Sequence, residues 1–182
     1  MAHVLVTGGV RSGKSRYAER FLAAADAVAY VTPGYPADPN QDPEWASRVM
    51  AHRQRRPAHW RTDETLELAR AVDAAHTPVL IDCLGTWVTR LLDGWQAWDA
   101  PAAEWQPRLD GEVAALTAAV ARARVDIVMV TNEVGWGVVS EHRSGRIFAD
   151  QLGRVNQAVA AVCDEVVLMV AGRPLRLPLS SG

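Results

Sequence analysis

The sequence predicts an α/β fold, a mostly parallel sheet with helices on both faces. Three observations lead there. Five short β-branched runs are apolar at nearly every position, the pattern of strands covered on both sides. Segments with helical periodicity separate these runs, so strand and helix alternate along the chain. The glycine-rich stretch GGVRSGKS (8–15) stands between the first strand and the first helix, the place where a phosphate-binding loop is built.

The elements follow in order. HVLVT (3–7) is the first strand, and SRYAERFLAAA (15–25) the first helix after the glycine-rich loop. AVAYVT (27–32) is the second strand. PGYPADPNQDP (33–43), with four prolines, is a long connection of the kind that is functional or mobile. Asp42 as N-cap, Pro43 in the first turn and Pro57 as terminator bound a helix of about four turns. PVLID (78–82), DIVMVTN (126–132) and EVVLMVAG (165–172) supply the remaining strands. The longest helices span Glu104 to Arg124 and Ser144 to Cys163; the latter sets Ile147, Phe148, Gln151, Leu152, Val155 and Val159 on a drifting apolar stripe. No internal repeat interrupts the pattern.

Bulk composition narrows the class. The 182 residues suffice for one domain with a sizeable core, and 49% hydrophobic with 22% charged residues excludes disorder. A net charge of −2 gives no general attraction to nucleic acid or to an acidic membrane surface. No apolar run approaches a membrane span, and the chain enters a strand without a basic leader, so no membrane insertion and a cytoplasmic location are expected. Cys83 and Cys163 lie eighty residues apart, in no metal or redox spacing, which fits free thiols in a reducing cytosol.

Of nineteen Lys and Arg residues, only Lys14 is lysine. It completes the pattern G-x4-G-K-S, with Gly8, Gly9, Val10, Arg11, Ser12, Gly13, Lys14 and Ser15 forming the loop. The glycines let backbone N–H groups turn toward phosphate oxygens, and the following helix adds the positive end of its dipole. Lys14 reaches the β- and γ-phosphates as a compact point charge that the broad guanidinium fork cannot replace. The Ser15 hydroxyl is a Mg²⁺ ligand. Asp82, ending an apolar strand, is either the second carboxylate of that metal site or a cap for the next segment. A nucleoside triphosphate is therefore the expected ligand. The absence of an N-K-x-D element argues against a switch GTPase, and the lack of a basic, aromatic-rich surface argues against a single-strand DNA motor.

The helix DPEWASRVMAHRQRRPAHW (42–60) carries the second cluster. Glu44, Arg48, His52 and Arg55 recur at four-, four- and three-residue steps on one face, with Arg53 and Arg56 near and Trp45 and Val49 alongside. Two readings stay open: a solvated basic face with an incidental histidine, or an anion-binding helix whose histidine attacks a phosphate. In the second, the neighbouring cations keep the imidazole neutral and nucleophilic.

Four segments, VTGGVRSGKSRYAE, DPEWASRVMAHRQRRPAHWRTDE, VLIDCLGTWVTRLL and the long run from VTNEVGWGVVSEHRSGRIF to VVLMVAG, occur in an order that resembles the bifunctional adenosylcobinamide kinase/adenosylcobinamide-phosphate guanylyltransferases of cobalamin biosynthesis. The resemblance spans nearly the whole chain. It implies a RecA-like P-loop NTPase fold, a single catalytic domain over 1–182, a homotrimer, and Mg²⁺ with ATP and GTP as substrates. It also implies phosphorylation of adenosylcobinamide, then transfer of GMP to adenosylcobinamide phosphate through a guanylyl-histidine. That histidine corresponds to His52, and the family's nucleotide contacts fall on the loop from Gly8 to Ser15, on Thr32, Pro33 and Gly34, on Arg53, Gln54, Arg55 and Arg56, on Glu64 and on Asp82. A longer proline-rich loop (33–43) and Val10 in place of a common alanine are its departures.

Other residues are less determined. His59, between Ala58 and Trp60, reads as packing at a helix exit rather than chemistry; His3, His76 and His142 lack a supporting constellation. Trp87, Trp95, Trp98 and Trp105 read as core or subunit contacts, with a corrin platform as the alternative. Glu133, at a strand end on the loop side, would orient a hydroxyl or a subunit contact. Two other classes compete with the family reading: a small-molecule kinase without nucleotidyl transfer, and a nucleotide-dependent binding module without turnover.

Overall fold

Strand β1 (His3–Gly8) lies inside a seven-stranded sheet of order β3-β2-β4-β5-β1-β6-β7 in a computed structural model that describes residues 1–178. Its neighbours are β5 (Ile127–Val130) and β6 (Glu165–Val170), both parallel to it. Toward one edge follow β4 (Val79–Asp82), β2 (Ala29–Val31) and β3 (Arg61–Asp63), again parallel. At the other edge β7 (Arg173–Leu177) pairs antiparallel with β6.

The expected strands are all present, within a residue or two at their ends. The exception of substance is the last, expected to run to Gly172. Ala171 and Gly172 instead adopt φ of 49° and 78°, and Val170 pairs with Arg173, so these two residues form a tight hairpin turn. β3 and β7 escape the apolar pattern for a shared reason. They are edge strands with no fully buried residue, so neither needs an apolar run.

The pleat of β1 divides the core. Val4 and Val6 join Val28, Tyr30, Leu80, Val128 and Val130 on the face covered by α1 (Lys14–Phe21), through Ala18 and Leu22, and by Trp60. Leu5 belongs to the larger core on the opposite face. That face is covered by α3 (Leu68–Asp73), α4 (Leu84–Gly94), α5 (Ala102–Arg122) and α6 (Arg143–Ala160). Helices thus cover both faces, four on one side and one on the other. Trp87 and Trp105 are buried in the larger core, and Trp95 and Trp98 pack against it, which makes the tryptophan-rich stretch core. No helix among the described residues is long and apolar enough to cross a membrane. Both cysteines are free, and burial pushes the Cys163 thiol up to about 12, with Asp164 adding to the effect.

Helix α2 (Pro43–Arg55) starts as its sequence requires, with the Asp42 carboxylate accepting from the Trp45 N–H at 2.8 Å and Pro43 in the first turn. Only Ala46 on it is buried. It is held outside the main core by side-chain contacts at its C-terminal end, and these assemble the site.

Candidate active site

Parallel strands deliver their C-terminal ends to one edge of the sheet, and the predicted site residues collect there. β1 ends in Gly8, whose φ of 143° no β-carbon could follow, since a Cβ would come within 2.5 Å of the Met169 carbonyl oxygen. The chain then turns through Gly9 and Val10 to Arg11 at φ 57° and Ser12, whose N–H donates to the Gly9 carbonyl at 3.3 Å. Gly13, at φ 98°, opens α1. The β6–β7 turn buttresses this loop from behind, with the Gly172 N–H donating to the Ser12 carbonyl at 3.0 Å. Lys14 is buried at the start of α1, and its ammonium donates to the Gly9 carbonyl at 2.7 Å. Burial lowers its pKa, against the raising influence of Cys83 and Asp82.

Asp82 terminates β4 two strands away from β1. Its Oδ2 accepts from the Tyr30 hydroxyl at 2.7 Å and lies 3.4 Å from His52 Nδ1. Burial alone would raise this carboxyl. Hydrogen bonding and charge from His52, with hydrogen bonds from Tyr30 and Ser15, overcome that and hold it below the usual carboxylate range. So Asp82 faces Ser15 at the mouth of the phosphate loop and His52 on α2 at once. The capping role is not realised, because Cys83 occupies the cap position of α4 and no side chain caps that helix.

The basic cluster of α2 differs from its expected form. Arg48 pairs with Glu44 at 2.5 Å, Arg53 with Glu64, and Arg55 with Glu19 at 3.3 Å. Arg56 lays its guanidinium over the Tyr30 ring, 3.5 Å from the centroid, and donates to Thr62 Oγ1 at 3.1 Å. Each guanidinium expected to act on the imidazole as a free cation therefore has a carboxylate or an aromatic partner, and the charge within reach of His52 Nδ1 is the Asp82 carboxylate. The guanidiniums expected beside the imidazole are thus engaged with other partners. Helical spacing alone could not reveal partners that come from α1 and from the segment after β3.

Thr32, Pro33 and Gly34 follow β2 at the same sheet edge. The Thr32 N–H donates to the Asp63 carbonyl at 2.8 Å, and the carbonyls of Pro33 and Gly34 accept from Arg90 at 3.3 and 3.0 Å. Gly34 is pressed against Trp45, 2.9 Å from where a Cβ would sit. Gln54 is exposed on α2. His59 is exposed rather than packed; its neighbour Trp60 takes the core position. His3 lies at the opposite end of β1, and His142 is the residue preceding α6. Glu133 sits beside the loop, its N–H donating to the Gly8 carbonyl at 3.1 Å and its carboxylate accepting from Thr7 Oγ1 at 3.5 Å.

Sequence reasoning missed Tyr30, Glu19 and Arg90. Tyr30 reads as one more apolar residue of a buried strand, and only the strand order reveals that its hydroxyl meets Asp82. For Mg²⁺, the Ser15 hydroxyl and a buried, ionised Asp82 carboxylate at the loop mouth are a fitting donor pair. A Mg²⁺ ion held there would take waters and phosphate oxygens as its other ligands. The described residues hold no cluster of three or more His, Cys, Asp or Glu for a metal bound wholly by protein.

A family model described as cobinamide kinase / cobinamide phosphate guanyltransferase matches residues 4–177. The chain is 42% identical over 179 residues to the bifunctional adenosylcobalamin biosynthesis protein CobU of Salmonella typhimurium, covering 93% of this chain and 96% of that protein. It is 41% identical over 178 residues to the bifunctional adenosylcobalamin biosynthesis protein CobP of Pseudomonas aeruginosa, covering 95% of each. Among solved structures, an ATPase from the type III secretion system of pathogenic bacteria shares the fold, with a TM-score of 0.60 at 11% identity over 92% of this chain and 51% of that one.

Proposed function

The chain belongs to the cobinamide kinase / cobinamide phosphate guanyltransferase family, and on that premise we propose how its residues divide the two reactions. The substrates are adenosylcobinamide, adenosylcobinamide phosphate, ATP and GTP, and 1–182 works as one catalytic domain, in the cytoplasm and as a homotrimer. The observation that carries the assignment is the 3.4 Å approach of His52 Nδ1 to Asp82 Oδ2 beside the phosphate loop. It brings a candidate nucleophile to the triphosphate site.

In the kinase reaction, the loop N–H groups and Lys14 hold the β- and γ-phosphates. The hydroxyl of the aminopropanol arm attacks the γ-phosphorus; the bond to the β-phosphate oxygen breaks, the nucleoside diphosphate leaves with the bonding pair, and the hydroxyl proton passes to solvent. Positioning and charge stabilisation supply most of the catalysis in such a transfer. Mg²⁺, held by Ser15 and Asp82, would neutralise charge on the phosphate oxygens when bound.

In the transferase reaction, Asp82 accepts from His52 Nδ1–H and leaves the Nε2 lone pair free. A contact of 3.4 Å is long for a hydrogen bond, and catalytic contacts of this kind tighten when substrate is bound. Nε2 attacks the α-phosphorus of GTP, the bond to the β-phosphate oxygen breaks, and pyrophosphate leaves. A phosphate oxygen of adenosylcobinamide phosphate then attacks the same phosphorus, the P–N bond breaks with its electron pair returning to Nε2, and adenosylcobinamide-GDP forms. Two in-line displacements replace one. Arg53, Gln54, Arg55, Arg56, Glu64 and the Thr32–Gly34 turn border the nucleotide, Arg53 and Arg55 exchanging their carboxylate partners for phosphate as GTP enters.

Product analysis with His52→Ala tests the division. The variant should convert adenosylcobinamide to its phosphate and stop there, with no adenosylcobinamide-GDP. Continued formation of adenosylcobinamide-GDP by this variant would remove His52 from the reaction.

A further inference from the structure

The loop between β5 and α6 is fixed at both ends and apolar in its middle. At its start, the Glu133 N–H donates to the Gly8 carbonyl at 3.1 Å, and Asn156 Nδ2 donates to the Asn132 carbonyl at 3.1 Å. At its end, Arg146 donates to the carbonyls of Ser140 and Glu141 at 2.9 and 2.7 Å. Gly145 lies so close to Ser140 that a Cβ there would meet its Oγ at 2.4 Å. Between these anchors Trp136, Val138 and Val139 are 73%, 99% and 76% exposed. Gly135 and Gly137 flank the indole, and a Cβ on either would meet nothing within 4 Å, so packing does not demand glycine at these positions. Their effect is to leave the indole unobstructed.

An indole and two valines this exposed on an anchored loop are not buried by the fold of the single chain, which leaves them available to meet a ligand. The size of the patch decides what it binds. One indole of about 200 Å², with two valines, falls well short of the ~800 Å² that each partner of a stable protein interface buries. It is enough for one face of a macrocycle. Position agrees: Trp136 is three residues beyond Glu133, so the chain keeps it within about 11 Å of the residue bonded to Gly8. An acceptor whose arm enters the phosphate loop must leave its bulk just outside that edge.

We propose that the Trp136–Val139 segment is the apolar platform on which the corrin macrocycle of cobinamide rests while its arm reaches the phosphate loop. The proposal rests on the family reading above and adds to it the residues that hold the acceptor. Trp87 and Trp105 are core and Trp95 and Trp98 pack against it, in line with the core role expected of them rather than the alternative of a platform.

The test measures Trp136→Ala, Trp136→Phe and wild type in three ways. Equilibrium dialysis against adenosylcobinamide should show binding weakened about tenfold in the alanine variant and largely restored in the phenylalanine variant. Labelling by GTP with a radioactive α-phosphate, a step with no corrinoid in it, should proceed in both, which shows that the nucleotide site is folded. Light scattering should give one oligomeric state for all three. Unchanged adenosylcobinamide binding by the alanine variant would overturn the proposal, and so would a change of oligomeric state, which would make the loop a contact between copies. A wild type that binds no adenosylcobinamide would sink the proposed function and this proposal with it; an alanine variant that binds it as tightly as the wild type would sink this proposal alone.

Discussion

Asp82 Oδ2 serves two donors, the Tyr30 hydroxyl at 2.7 Å and, at 3.4 Å, His52 Nδ1. Tyr30 is fully buried with Arg56 across its ring, so its hydroxyl has a fixed position. Tyr30→Phe keeps the ring and removes one hydrogen bond to a charged group, which should cost about 1.5–3 kcal/mol of stability at neutral pH. Because the folded pKa of Asp82 is depressed, the stability it contributes is present above the unfolded value of about 3.9 and is lost as pH falls through the lower folded value. Urea melts of the two proteins should therefore differ at pH 7 and converge as the pH falls below the unfolded value and through the lower folded one; a difference that persists in acid would separate Tyr30 from the ionisation of Asp82. At this scale the sequence was legible where chemistry restricts the residue type. Lys14 stood out as the sole lysine and Gly8 by its motif, whereas the role of Tyr30 depends on β2 and β4 being neighbours, which no local pattern encodes.

Helix α2 carries His52 while burying only Ala46, so it depends on its cap and on the ion pairs of its arginines more than on packing. Asp42→Ala removes the carboxylate that accepts from the Trp45 N–H and should cost about 1 kcal/mol, felt mostly as fraying of this helix. Hydrogen exchange should speed up in 43–55 and leave β1 and β4 protected; uniform acceleration across the sheet would mean that α2 is integral to the core. The boundaries of α2 were readable from Asp42, Pro43 and Pro57. Its charge environment was not, since Glu19 and Glu64 reach it from other elements. β3 and β7 were illegible because edge strands need no apolar run, and the end of β6 was misread because Ala171, a residue that seldom takes positive φ, forms half of the turn.

Across the whole molecule, parallel strands put the loop after β1, the turn after β2, Asp82 and Glu133 along one edge, and α2 folds over that edge to add His52. The alternation of apolar runs and helices foretold this architecture, and the motif located its functional edge. The lopsided covering, with one helix on one face and four on the other, required the structure. The central claim is that this edge makes a covalent bond to GMP. Intact mass spectrometry of the protein after incubation with GTP and Mg²⁺, with peptide mapping, tests it most directly. The account predicts one added GMP per chain, on His52, lost in acid and stable in base as a phosphoramidate is. An unmodified protein that nonetheless turns over GTP, or a GMP mapped to another residue, would contradict it.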